Sequence, residues 1–128
     1  MASTVLVVDD DDEQASLFHE MLLATGISVL TSSDGRSALE LLRRHKIDIV
    51  LLDYVLPGLD GLEVCRLVRQ MSQQLPRIII ISGMNSDAIK SLALEVGAND
   101  YLEKPFETES LLDCVARHMA EAAILREA

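Results

Sequence analysis

Thr4-Val-Leu-Val-Val8 runs straight into Asp9-Asp-Asp-Asp-Glu13, and the reading of that junction decides the fold. An apolar run without polar alternation marks a strand covered on both faces, the situation of a parallel sheet flanked by helices. The acids that follow stand where such a strand ends and a helix begins, a position that suits negative charge.

The same alternation continues along the chain. A helix is predicted over about 12–25, with Ala15, Phe18, Leu22 and Thr25 on one side and Met21 beside them, ended by Gly26. Ile27–Thr31 reads as a second strand, and Asp34 as the N-cap of a helix over 35–45 in which Ala38, Leu41 and Leu42 share a face. Ile47–Leu52 is a third strand ending at Asp53. Pro57, Gly58 and Gly61 mark a loop, followed by a helix over about 61–72 with Leu62, Cys65, Val68 and Met71 inward. Ile78-Ile-Ile-Ile81 is the most β-branched run and reads as a central buried strand. A helix over about 86–96 then turns Ile89, Leu92 and Val96 inward. Asp100-Tyr-Leu102 is a short fifth strand, and a last helix covers about 107–126 with Leu111, Val115, Ala116 and Met119 apolar. Five strands alternating with five helices imply an α/β fold with a doubly wound parallel sheet and right-handed crossovers. Its ligand site belongs at the carboxyl ends of the strands.

Composition narrows the function. With 128 residues, 49% hydrophobic and 25% charged, the chain suits one domain with a core of its own. A formal charge of −10 argues against direct nucleic-acid binding and against anionic membranes. No apolar run is long enough to span a bilayer, and the N-terminus lacks the basic region of a signal peptide, so a cytoplasmic protein is expected. Cys65 and Cys114 lack a metal-ligand spacing and read as small buried hydrophobes. His19, His45 and His118 lack partner spacing and are expected at the surface or its edge.

On this frame Asp9, Asp10, Asp53, Ser82 and Lys104 all fall at strand carboxyl ends. Three converging carboxylates repel by on the order of 4 kcal/mol per pair at about 4 Å and an effective dielectric near 20. Such a site calls for a cation, and Mg²⁺ suits a few carboxylates completed by waters and phosphate oxygens. One carboxylate can then act as a nucleophile towards phosphorus, while Ser82 and Lys104 hold phosphoryl oxygens. Asp12 and Glu13 read as first-turn acids, and Asp60 as a cap or turn residue.

Four segments carry a resemblance: Val7-Val-Asp-Asp-Asp11, Leu51-Leu-Asp-Tyr-Val-Leu-Pro-Gly-Leu-Asp-Gly61, Ile81-Ser-Gly83 and Gly97-Ala-Asn-Asp-Tyr-Leu-Glu-Lys-Pro-Phe106. Over about residues 4–120 the chain resembles a response-regulator receiver domain of bacterial two-component signalling, of the chemotaxis-regulator type. The resemblance implies a flavodoxin-like (βα)5 fold with strand order 2-1-3-4-5. It implies that Asp53 is the phosphoacceptor, served by a histidine kinase or a histidine phosphotransfer protein. Asp10 would bind Mg²⁺ (or Mn²⁺) directly and Asp9 largely through water, with the Val55 backbone carbonyl as a further ligand. Ser82 and Lys104 would bind the phosphoryl group, Ser82 and Tyr101 would form a switch pair, and the Lys104–Pro105 bond would be cis. Phosphorylation would reshape the surface of the fourth helix, fifth strand and fifth helix, which docks an effector, an output domain or a second copy. The two cysteines would lie on opposite faces of the sheet, too far apart for a disulfide. Such a domain catalyses only its own phosphorylation and dephosphorylation.

Three features depart from the pattern. Val55 and Met84, each two residues after a site residue, are apolar in places that influence dephosphorylation in the family, so slow self-dephosphorylation is expected. Gly83 stands where alanine is common, and Asp11 and Asp12 extend the acid run. Two other readings compete: an aspartate-nucleophile phosphatase, disfavoured because Val55 stands where its acid–base Asp belongs, and a phosphorylation-independent module with a vestigial site. The alanine-rich end, Ala120–Ala128, reads as a helical extension or linker. It favours a receiver excised from a longer chain over a stand-alone regulator.

Overall fold

Within residues 3–84 and 86–127, which the computed structural model describes, five parallel strands form one sheet in the order β2-β1-β3-β4-β5. The strands are β1 (Thr4–Val8), β2 (Ser28–Ser32), β3 (Ile49–Asp53), β4 (Arg77–Ser82) and β5 (Asp100–Glu103). The helices between and after them are α1 (Asp12–Leu23), α2 (Gly35–Arg44), α3 (Gly61–Met71), α4 (Asp87–Glu95) and α5 (Thr108–Glu127).

The continuous apolar strands have a direct structural cause. Val5, Val7, Ile49, Leu51, Ile79 and Ile81 enter a core with Phe18 and Leu22 of α1 and Leu111, Cys114 and Val115 of α5. Their neighbours Leu6, Val8, Val50, Leu52, Ile78 and Ile80 enter a second core with Ala38, Val64, Cys65, Val68 and Ala93. Alternate residues of one strand face opposite ways, so burial on both faces leaves no polar position between the first and last residues of β1, β3 or β4. Cys65 and Cys114 belong to different cores and are free thiols.

Local chemistry sets the helix starts. Asp11 caps α1, its carboxylate accepting the N–H groups of Glu13 and Gln14 at 3.0 and 3.3 Å. Asp34 caps α2, Asp60 caps α3 and Ser86 caps α4. The acid run therefore divides its work: Asp11 caps, while Asp12 and Glu13 lie in the first turn against the helix dipole. Asp9 and Asp10 are left for the site.

Four expectations about side-chain placement fail. Met71, the last residue of α3, is exposed. On α4 the buried residue is Ala93, one position from Leu92, which is exposed. Ile89, Ala93 and the C-cap residue Val96, spaced by four and three, are the α4 residues packed against the core. On α5 the inward stripe is Leu111, Cys114, Val115, His118 and Ala122, which leaves Ala116 exposed. His118 is therefore buried, 4% exposed, and not at the surface. Its Nε2 lies 2.8 Å from Asp100 Oδ2, and its Nδ1 faces the Arg77 guanidinium at 3.1 Å. A polar partner at each ring nitrogen lets imidazole occupy an apolar stripe.

The end of α5 is packed on the domain. Ala122 is fully buried, and Arg126 Nε donates to Asp48 Oδ1 at 2.6 Å. Asp48 Oδ2 accepts the Thr4 N–H at 2.9 Å, so one buried carboxylate joins the start of β1 to the last turn of α5. Ala128 lies outside the described residues. No described helix is long and apolar enough to cross a membrane.

Candidate functional site

Strand order gathers the polar residues. β1 and β3 are neighbours, with Val8 beside Leu52, so the acids after β1 and Asp53 at the end of β3 meet at one edge. β4 lies beside β3 and β5 beside β4, which brings Ser82 and the Lys104 segment alongside. The Lys104 N–H donates to the Ser82 carbonyl at 2.8 Å, and Tyr54 N–H donates to the Ile81 carbonyl at 2.9 Å. The Lys104–Pro105 bond is cis, and so is Leu75–Pro76, which no local motif announces.

Gly61 closes the floor of the site. A Cβ there would sit 2.5 Å from the Asp53 carbonyl oxygen and 2.8 Å from the Tyr54 Cα, both fixed backbone atoms. Its N–H donates to the Tyr54 carbonyl at 2.8 Å, holding the start of α3 against the loop after Asp53. No side chain fits at this approach.

Asp9, Asp10 and Asp53 each present a carboxylate oxygen within 4.8 Å of the others. Asp9 is 3% exposed, Asp53 is half-buried and Asp10 is open to solvent. Burial pushes the carboxyls of both Asp9 and Asp53 above their ordinary range. The Lys104 ammonium and backbone N–H groups oppose that rise, and the neighbouring acids add to it. The Asp11 N–H donates to Asp9 Oδ1 at 2.9 Å, which fixes one of its oxygens. Three carboxylates at this spacing repel by on the order of 3 kcal/mol per pair at an effective dielectric of about 20. An all-oxygen donor set with a surplus of negative charge and an open side fits a hard divalent cation that keeps waters, as Mg²⁺ does.

Lys104 Nζ lies 3.7 Å from Asp53 Oδ2, an ion-pair separation and not a hydrogen bond. Its hydrogen bond runs instead to Gln14 Oε1, at 2.8 Å. Gln14 was not singled out by the sequence. It stands one helical turn beyond Asp10, but nothing local pairs it with a residue 90 positions away.

Ser82 and Tyr101 meet through the backbone of Met84. Ser82 Oγ accepts the Met84 N–H at 3.0 Å, and the Tyr101 hydroxyl donates to the Met84 carbonyl at 2.8 Å. Tyr101 is buried, 7% exposed. The side chains of Val55 and Met84 are 65% and 48% exposed and bring no polar atom to the site.

Asp100, Cys114 and His118 also converge within 4.8 Å, but this second cluster does not suit a metal ion. Arg77 has only donors to offer His118 Nδ1, so that nitrogen accepts and Nε2 carries the proton towards Asp100. A cation at Nε2 would force the proton onto Nδ1, against the guanidinium. Burial pushes the Cys114 thiol up to about 11, with Asp100 adding to the rise, and Arg117 lies 3.4 Å from the same Asp100 oxygen. The cluster is a satisfied hydrogen-bond network.

A sequence model of the response regulator receiver domain matches residues 5–116. Among solved structures, the receiver domain of the Francisella response regulator 1452 is 30% identical, with a TM-score of 0.87 over 93% of this chain and 98% of that one. The BeF3-activated N-terminal receiver domain of Klebsiella pneumoniae RstA is 34% identical, with a TM-score of 0.86 over 91% and 98%. A CheY-like receiver domain protein of Methanospirillum hungatei, 22% identical, shares the fold over 100% of both chains with a TM-score of 0.92.

Proposed function

Because the chain belongs to the response regulator receiver domain family, we propose that Asp53 is a phosphoacceptor in a two-component or phosphorelay system. The observation that carries this reading is the convergence of Asp9, Asp10 and Asp53 beside an ammonium 3.7 Å from Asp53 Oδ2. An Asp53 oxygen forms the new O–P bond while the bond from phosphorus to the donor breaks, and the donor leaves with the electron pair. Lys104 and the Ser82 hydroxyl stabilise negative charge on the phosphoryl oxygens, while burial, with the neighbouring acids adding to it, raises the cost of ionising Asp53 that a bound cation would offset. Asp9, Asp10, Asp53 and the Val55 carbonyl are the groups that would hold Mg²⁺, which supplies charge neutralisation at the phosphoryl oxygens.

The donor in this reading is a sensor histidine kinase or a histidine phosphotransfer protein. Phosphorylation adds about −1.5 to −2 of charge beside Ser82. The hydroxyl proton of Ser82 turns to a phosphoryl oxygen, and the strain falls on the Met84 backbone that Ser82 and Tyr101 share. That link carries the change to the surface of α4, β5 and α5, where an effector, an output domain or a second copy docks. The test is labelling by acetyl phosphate with Mg²⁺, followed by intact mass. The wild type gains one phosphoryl group and Asp53→Asn gains none; undiminished labelling of Asp53→Asn rejects the assignment.

A further inference from the structure

We infer that Gln14 is a positioning residue for Lys104, holding its ammonium beside Asp53 without letting it close onto the carboxylate. The inference rests on the phosphoacceptor reading above and adds a residue to that site.

The hydrogen bond to Gln14 Oε1 spans 2.8 Å, whereas the nearest Asp53 oxygen is 3.7 Å away. A lysine beside a half-buried carboxylate gains most by direct contact, about 2.8 Å for a charge-assisted bond. Lys104 stops short of that distance, and Gln14 is the group bound to it. Lys104 and Gln14 border a groove that is otherwise apolar. Leu17, Phe18 and Met21 of α1 line it with Pro105 and Phe106, and the two phenylalanine rings stack with centroids 5.9 Å apart. The Gln14 amide is thus the polar anchor on the α1 side.

The backbone that carries this side chain is held by the cap of α1. The Gln14 N–H lies 3.3 Å from Asp11 Oδ1, and the Asp11 N–H donates to Asp9 Oδ1 at 2.9 Å. One turn of helix therefore ties the acidic side of the site to the ammonium side. Without the Gln14 carbonyl, Lys104 closes onto Asp53 and masks the oxygen that attacks phosphorus. Phosphoryl transfer depends on such placement, because positioning and charge stabilisation supply most of its catalysis.

Gln14→Met keeps the length and the helix-forming character of the side chain and removes the acceptor. With acetyl phosphate and Mg²⁺ it should label about three- to tenfold more slowly than the wild type. The Mg²⁺ dependence of its melting temperature should be unchanged. In a Lys104→Met background, the same Gln14→Met change should leave the rate as it was, because the effect passes through Lys104. If that background labels too slowly to follow, the same cycle is read from the melting shift induced by beryllofluoride. Equal or faster labelling of Gln14→Met overturns the inference, as does equal slowing in both backgrounds or a parallel loss of Mg²⁺ response. Failure of the wild type itself to label at Asp53 overturns the phosphoacceptor reading first, so the two failures are distinct.

Discussion

Tyr101 and Ser82 hold the same residue by opposite ends: the tyrosine hydroxyl donates to the Met84 carbonyl at 2.8 Å, and the serine hydroxyl accepts the Met84 N–H at 3.0 Å. A change at either side chain is felt by the other through one peptide segment. Tyr101→Phe removes one of these bonds while keeping the ring buried. It should cost about 0.5–1.5 kcal/mol in urea denaturation, the usual net value of one such bond. Labelling at Asp53 should persist, while phosphorylation-dependent binding of a partner weakens. Partner binding that still responds fully to phosphorylation in Tyr101→Phe would remove the tyrosine from the switch.

The raised carboxyls of Asp9 and Asp53 set a sign for pH dependence. A carboxylate whose pKa is higher folded than unfolded binds more protons in the folded state, so its contribution to stability falls as pH rises from about 4 through the raised folded value. The penalty is present above the raised folded value and absent in acid. Asp53→Asn removes one of these groups, so at pH 7 without divalent cations it should be more stable than the wild type, and the difference should vanish towards pH 4. Paired urea titrations across pH measure it, and a variant that is less stable at pH 7 contradicts it.

Mg²⁺ should act in the opposite sense, stabilising the folded protein most at neutral pH and losing its effect as Asp9 and Asp53 take up protons. At about 100 times the dissociation constant the gain is roughly 2.7 kcal/mol. Calorimetric scans with and without MgCl₂ at pH 7 and pH 4.5 check this, and Asp9→Asn should show little shift at either pH.

Val55 and Met84 flank the site with exposed apolar side chains, so no side chain at either position orients water towards a phosphoaspartate. Hydrolysis should be slow, on a scale of minutes or longer. Val55→Asn, which introduces a polar group, should speed it by roughly tenfold, equivalent to about 1.4 kcal/mol of barrier. Decay of the phosphorylated species in Mg²⁺ reads both, and a wild-type lifetime of seconds contradicts the first.

Arg126 reaches a carboxylate that is almost fully buried and also receives the Thr4 N–H. Arg126→Ala leaves Asp48 Oδ1 without its charged partner and should cost about 1–3 kcal/mol. Truncation after Ala120 should cost more, since it also exposes the contacts of Ala122. Equal stability of the truncated and full chains would place the end of the domain near residue 120.

Much of the fold is legible locally. The Val-Leu-Val-Val and Ile-Ile-Ile-Ile runs declare strands buried on both faces, and Asp34 announces a helix start through its side-chain chemistry. Asp9, Asp10, Asp53, Ser82 and Lys104 stand out because each follows a strand. Two of the errors, Leu92 and Ala116, fall where one residue's turn around a helix decides the outcome. Leu92 and Ala93 differ by about 100° of rotation, and hydrophobicity favours the leucine, but the face that α4 turns inward carries the alanine.

The sequence by itself determined the order of elements, the two-sided burial of the strands and the set of polar residues at their carboxyl ends, because each is written in neighbouring residues. Tertiary structure decided that Gln14 takes the Lys104 ammonium, that His118 is buried between Asp100 and Arg77, and that Arg126 closes on Asp48. The partners of these contacts lie 18 to 90 residues apart and are brought together by the packing of helices on a sheet ordered β2-β1-β3-β4-β5. Separation along the chain carries no trace of such partners; geometry after folding creates them.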